Sequence, residues 1–255
     1  MSGLPEYDDQ LSTFHEAFER ELRGIIDALP LKPDMRVLDV ACGDGFYAKH
    51  LSERAQVTGV DVSPAYLAKA RPQAPGVEFV LAPLEDLPFA EASFDFVWCA
   101  QSLYSLPDPL IALGHMKRVL RPGGVLAVLE NDTAHQVLLP WPASLELQLR
   151  EAELRALQQE RGLTSRYYVG RRLPQVFAEA GLTPTRFATF PFDRLAPLGE
   201  AERRLLALYL EELDARVAPH LDPGALEALR ALKAQLPTAP HLSLTWLNML
   251  TLGTR

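Results

Sequence analysis

The sequence predicts an α/β protein built on a doubly wound, mostly parallel sheet, and three observations carry that expectation. Short apolar strand-like runs and helix-period segments alternate five times between Val37 and Glu130, an order that right-handed crossovers turn into a parallel sheet. The first of these strands runs directly into a glycine turn, Gly43-Asp44-Gly45, that opens a helix. The composition is globular, with 48% hydrophobic and 23% charged residues among 255, enough for a sizeable core and too apolar for disorder.

Residues 7–29 place Phe14, Phe18, Leu22, Ile25, Ile26 and Leu29 at a helical period before Pro30 and Pro33, which predicts an amphipathic opening helix. Residues 37–40 read as a short buried strand, 46–54 as a helix and 57–61 as the second strand. Ser63 is placed to cap a helix with Pro64 at its first position, running to about Ala70. Residues 78–81 and 94–100 read as the third and fourth strands. A helix over 109–120, closed by Arg121-Pro122-Gly123-Gly124, leads to a fifth strand over 125–130.

The alternation then stops. Helices are expected over 145–162 and 171–180, the second ended by Gly181, then a strand over 186–192. Residues 198–217 and 223–236 read as a helical pair, and 243–252 as the last of seven strands. The blocks at about 131–170 and 195–240 are insertions around the sheet, so residues 1–255 are expected to form a single domain, with 1–33 as an opening helix and 34–130 as the core.

Thirty-three acidic against 25 basic side chains give a net charge of −8. Such a molecule repels phosphate backbones unless it holds a local basic patch. The adjacent basic pairs Lys117-Arg118, Arg171-Arg172 and Arg203-Arg204 read as solvated helix faces, so no nucleic-acid partner is expected. Cys42 and Cys99 fit neither a disulfide framework nor a zinc spacing. Reduced thiols, an acidic start without an apolar run, and the lack of any 18-residue apolar stretch lead to the expectation of a cytoplasmic setting without a membrane span.

The glycine turn brings backbone close to a ligand at a helix start, where free N–H groups favour negative charge. Sixteen residues beyond Gly45, Asp61 closes the second strand, where a carboxylate can accept from both ribose hydroxyls. The pattern Gly43-x-Gly45-x-x-Ala48 also fits a dinucleotide fingerprint. Against that, Asp39 adds negative charge inside the strand, unwelcome to a pyrophosphate and suited to a ligand with cationic groups.

Four segments, VLDVACGDGFYAKHL (37–51), VTGVDVS (57–63), LEDLPFAEASFDFVWC (84–99) and MKRVLRPGGVLAVLE (116–130), resemble in order and spacing the motifs of class I S-adenosylmethionine-dependent methyltransferases. The nearest likeness is to the group that includes the ubiquinone/menaquinone biosynthesis C-methyltransferases. The resemblance covers about residues 35–130 and implies a Rossmann-like sheet whose last two strands form an antiparallel hairpin at its edge. It implies that Asp39 orients the methionine end of S-adenosylmethionine and that the turn from Ala41 through Gly43 and Gly45 passes under it. Asp61 would hold the ribose, Val62 would pack on the adenine, Leu84 and Glu85 would line the adenine edge, and Ala100 and Gln101 would lie beneath the sulfonium. Relatives commonly carry Gly-Asp where this chain has Ala82-Pro83, which shifts adenine recognition to the Leu84 backbone or Glu85.

The opening helix and the two insertions would form a lid that chooses a small-molecule acceptor. Its aromatic set, Tyr7, Tyr104, Trp141, Tyr167 and Tyr168 with His135, suits an apolar or aromatic molecule. Candidate catalytic residues are His135, as a general base just past the fifth strand, and Tyr104 and Tyr168. Glu130, Asp132 and His135 are too sparse to predict a metal site. The chain is expected to act as a monomer or homodimer. Two other readings stay open: a cofactor-binding module without methyl transfer, and an NAD-linked oxidoreductase.

Overall fold

A computed structural model describes residues 8–106, 108–132, 136–159 and 168–255. Strands β1 (Arg36–Val40), β2 (Gln56–Asp61), β3 (Glu78–Leu81), β4 (Phe94–Ala100) and β5 (Leu120–Asn131) pair in parallel in the order β3-β2-β1-β4-β5. The long β8 (Ser243–Thr254) runs antiparallel to β5, and β7 (Thr183–Leu195) runs antiparallel to β8 on its other side. Helices α1 (Asp8–Asp27), α2 (Phe46–Ser52), α3 (Pro64–Gln73), α4 (Pro109–Val119), α5 (Ala143–Gln159), α6 (Val169–Glu179), α7 (Glu200–Val217) and α8 (Pro223–Gln235) complete the chain.

Alternate residues of the buried strands supply two cores, as the pleat requires. Val37, Trp98, Ala127 and Leu129 face α1, α2, α5, α7 and α8, while Leu38, Val97, Leu126 and Val128 face α4 and α6. Asp108 caps α4 by accepting the N–H of Leu110 and Ile111, with Pro109 at the first helical position.

Helix α1 is kinked at Phe18 (φ −126°, ψ 19°). Beside the kink, the Ala17 carbonyl accepts from Arg194 Nη2 at 2.7 Å. Arg194 also pairs with Glu21 at 2.8 Å and Glu202 at 3.0 Å and stacks over the Phe18 ring at 4.6 Å. One arginine of β7 therefore fixes the second half of α1 against β7 and α7.

Among the described residues the sheet holds the seven expected strands and a short eighth, β6 (Val137–Leu138), which pairs with Trp246 and Thr245 at the start of β8. Two residues between prolines and polar neighbours carry no legible alternation, so only the partner strand reveals them. The Arg121–Gly124 segment belongs to β5, because the Gly123 N–H donates to the Arg255 carbonyl and the Arg255 N–H to Gly124 at the distant chain end. Helix α3 continues past Pro72 to Gln73, and β7 extends beyond residues 186–192 at both ends because β8 offers it a full ladder. Residues 7 and 160–162, the expected ends of two helices, lie outside the described residues. Among the described residues no helix is long and apolar enough to cross a membrane.

Candidate active site

The carboxyl ends of β1, β2, β4 and β5 meet around the glycine turn, where an open parallel sheet binds its ligands. Ala41 (φ 55°), Gly43 (φ 53°) and Gly45 (φ 88°) all adopt the left-handed conformation. At Gly45 a Cβ would meet the Ala70 Cβ at 2.8 Å, so the absent side chain lets α2 pack on α3. Ala41 holds its conformation without that freedom, as does Gln101 (φ 52°) at the end of β4. Strained backbone of this kind clusters at binding sites.

Three carboxylates surround this turn. Asp39, fully buried in β1, keeps one oxygen, Oδ2, without any hydrogen-bond partner. Burial first, then the charges of Asp61 and Asp44, push its carboxyl well above the ordinary range. Asp61 Oδ2 accepts the Gly43 N–H at 2.9 Å and its Oδ1 accepts the Ser63 N–H at 2.8 Å; burial outweighs these bonds and raises its carboxyl. Asp44 accepts the Phe46 N–H at 3.1 Å; burial would raise it, but His15, the Phe46 amide and Lys69 together hold it below the usual range.

The turn's N–H groups are therefore largely occupied. Those of Gly43 and Phe46 serve the aspartates, and that of Gly45 serves the Cys42 carbonyl at 3.0 Å. The expectation of free amides inviting an anion is corrected: the surroundings are acidic, because the chain's own carboxylates reach the amides first.

Val62 is 68% exposed beside this turn, with Leu81 also exposed at the end of β3. Leu84 packs its side chain on the α4 core, leaving only its backbone at that edge, and Glu85 is exposed. Ala100 is buried, and Gln101 Oε1 accepts weakly from the Tyr47 hydroxyl at 3.5 Å while its amide nitrogen donates to Asn131 Oδ1 at 3.4 Å. Glu130, buried at the end of β5, accepts the Ser102 and Leu103 N–H at 2.9 and 2.6 Å. Burial raises its carboxyl to about 7 against the pull of those amides.

Three residues of α1 absent from the candidate site residues of the sequence lie at or beside the turn. His15 of α1 lies with Nδ1 3.7 Å from Asp44 Oδ1 and stacks on Phe46 at 4.1 Å. Leu11 of the same helix would be 3.7 Å from a Cβ at Gly43, and Asp8 pairs with Lys69 of α3 at 2.5 Å. A histidine between Phe14 and Phe18 on an apolar helical face was the available signal.

Among the described residues, the members of the expected aromatic set stand apart from one another. Trp141 is buried in the core beneath α1, Tyr104 packs against the core of the opposite face, and Tyr168 stands at the start of α6 under Arg171 at 5.0 Å. His135, Tyr7 and Tyr167 lie outside the described residues. Asp132 binds Arg171 through Nε and Nη2 at 2.9 and 2.7 Å, and Glu130 is engaged with amides. Among the described residues no three His, Cys, Asp or Glu side chains are placed to hold a metal. Burial pushes the Cys42 and Cys99 thiols up, so both stay protonated.

Residues 38–128 match a family described as a methyltransferase domain. The chain is 35% identical over 148 residues to 27-O-demethylrifamycin SV methyltransferase of Amycolatopsis mediterranei, covering 55% of this chain and 53% of that protein. It is 36% identical over 135 residues to malonyl-[acyl-carrier protein] O-methyltransferase of Enterobacter lignolyticus, covering 51% and 53%. The chain thus spans about half the length of these relatives. The fold is shared with an S-adenosylmethionine-dependent methyltransferase of Thermotoga maritima at TM-score 0.55 and 18% identity, covering 98% of this chain and 95% of that one.

The residues present fit that cofactor. An ammonium answers the unpartnered Asp39 oxygen, ribose hydroxyls answer the remaining lone pairs of Asp61, and exposed Val62 offers an apolar surface to a flat base.

Proposed function

We propose that this chain is a class I methyltransferase that uses S-adenosylmethionine and transfers a methyl group to a small-molecule acceptor, a reading supported by the match of residues 38–128 to a methyltransferase domain and by the likeness to named methyltransferases. The observation that carries the reading is the buried, unpartnered Asp39 oxygen facing the charges of Asp44 and Asp61 at a left-handed turn. A dinucleotide pyrophosphate would meet like charge at this place, which disfavours the oxidoreductase reading.

When bound, the cofactor supplies an electrophilic methyl on a good leaving group. The chain then has to orient it, align the acceptor and exclude water. Asp39, Ala41, Gly43 and Gly45 hold the methionine end, Asp61 the ribose, Val62 with the Leu84 backbone and Glu85 the adenine. Ala100 and Gln101 set the floor beneath the reacting centre. Helix α1 and the segments at 131–170 and 195–240 serve as the lid. A carbon or nitrogen acceptor needs alignment alone, whereas a hydroxyl acceptor needs a base, for which His135, Tyr104 and Tyr168 are the candidates. The four motifs favour the ubiquinone/menaquinone C-methyltransferase-like group, while the two relatives are named for other acceptors. Buried reduced thiols suit a cytoplasmic setting.

Calorimetric titration of ligand-free protein with S-adenosylmethionine and S-adenosylhomocysteine is the first test, with micromolar binding of both expected. Acceptor-dependent release of S-adenosylhomocysteine on metabolite pools is the second. Cofactor binding without any such release would identify a binding module, and no binding would overturn the reading. Turnover left intact by His135→Ala would retire that residue as the base.

A further inference from the structure

Helices α5 and α7 enclose a group of donors that their own contacts do not use. Arg150 of α5, its side chain only 16% exposed, donates Nη1 to Glu153 Oε2 at 2.6 Å. Its Nε and Nη2 are closed off from solvent and have no acceptor. The nearest further carboxylate, Glu146, is 4.0 Å from Nη2, outside hydrogen-bond range. Arg216 of α7 approaches the same Glu153 at 3.7 Å, and its second partner, Glu212, stands on the solvent side. Two guanidiniums thus share one buried carboxylate.

The Tyr209 hydroxyl, also buried, lies toward Arg150 without completing a well-formed hydrogen bond, and Trp246 Nε1, whose ring lies 5.8 Å from that of Tyr209, is buried without a partner. Buried N–H groups without acceptors are costly and rare in folded proteins. Here four potential donors lie together, beside two arginines whose only fully buried carboxylate partner is Glu153. Nε and Nη2 are moreover the parallel pair through which arginine grips a carboxylate side-on, as Arg171 grips Asp132 in this same chain. The group adjoins the site: Arg216 lies within electrostatic reach of Tyr104, in the turn after β4 whose amides Glu130 holds.

We propose that Arg150, with Arg216 and Tyr209, is the recognition site for a carboxylate on the methyl acceptor, so that the substrate class is small organic acids with an apolar or aromatic body. The inference rests on the methyl-transfer reading for its placement, and names the acceptor that reading leaves open. A purely structural tie between α5 and α7 would need only the Arg150–Glu153–Arg216 contacts and would not leave the side-on pair of Arg150 empty.

The test is calorimetric titration of the protein, saturated with S-adenosylhomocysteine, with 4-hydroxybenzoate and with 4-hydroxybenzamide. These probes share shape and differ in charge. The acid is expected to bind at least tenfold tighter than the amide. Arg150→Gln/Glu153→Gln, which removes one charge of each sign and keeps the helix packing, should erase that preference and leave amide binding unchanged. Arg216→Gln is expected to halve it or more. Equal binding of acid and amide, no binding of the acid, or an unaltered preference in the double variant would each overturn the proposal. Should S-adenosylhomocysteine itself fail to bind, the same titration without it decides. An acid preference that the double variant removes then supports this site while the methyl-transfer reading falls.

Discussion

Asp61 Oδ2 accepts the Gly43 N–H at 2.9 Å, so the carboxylate proposed to hold the ribose also fixes the glycine turn after β1. Its other oxygen holds the Ser63 amide at the cap of α3, and two consecutive strand ends are thereby tied through one side chain. Asp61→Ala should weaken S-adenosylhomocysteine binding by about 1–3 kcal/mol, the scale of hydrogen bonds to a charged group, and should also loosen the turn. Calorimetry reads the first effect and amide hydrogen exchange at Gly43 the second; unchanged affinity would remove Asp61 from the ribose site.

Asp39 is buried beside two other aspartates, which with burial hold its carboxyl well above the ordinary range, a conflict that the proposed cationic ligand would relieve. Asp39→Asn should raise stability by about 1–2 kcal/mol, since a neutral isostere removes the buried charge conflict, and lower cofactor affinity by about tenfold or more. Denaturant midpoints and titration together test this opposition of signs, and a variant that loses both stability and affinity would contradict it.

The same charges predict proton release on binding. Asp39 is raised in the free protein, and on the proposed reading an ammonium beside it favours its ionised form. Titrations near pH 6 in buffers of different ionisation enthalpy should show net release of protons, and affinity should rise with pH toward neutrality. Binding heats independent of the buffer would rule this out.

Glu130 makes the turn after β4 pH-sensitive. Its carboxyl, raised from 4.5 to about 7, binds more protons in the folded than in the unfolded chain between those values, so this contribution is complete below pH 4.5 and is lost as pH rises through 7. The shift corresponds to at most about 3 kcal/mol. Glu130→Gln keeps a carbonyl for the Ser102 and Leu103 amides and removes the titration. Urea midpoints compared at pH 5 and pH 7.5 should fall with pH in the parent and fall less in the variant.

Ala41 occupies a left-handed position (φ 55°) that costs an alanine about 1–2 kcal/mol. Ala41→Gly relieves this at the price of a more flexible unfolded chain, and a net gain of up to about 1 kcal/mol is expected. Guanidinium unfolding measures it, and a loss of stability would show that the methyl group packs more usefully than its backbone suffers.

Local chemistry was enough to read the parallel half of the molecule. The strands at Val37 and Phe94 are largely buried and appear as mostly apolar runs, while Ser63-Pro64 and Asp108-Pro109 announce helix starts within a few residues of themselves. Asp39, Gly43, Gly45 and Asp61 were legible for the same reason, since they sit at strand ends where the chain itself brings them to one edge of the sheet.

What the sequence could not determine depends on partners remote along the chain. Strand β6 exists only because Trp246 and Thr245 lie beside it, and the Arg121–Gly124 segment joins β5 only because Arg255 returns to it. Likewise, His15 reaches Asp44 because α1 folds back over the turn, and the donors of Arg150, Tyr209 and Trp246 meet because α5, α7 and β8 converge. Spacing and periodicity encode what neighbouring residues do to one another; which helix covers which strand end is set by packing of the whole core.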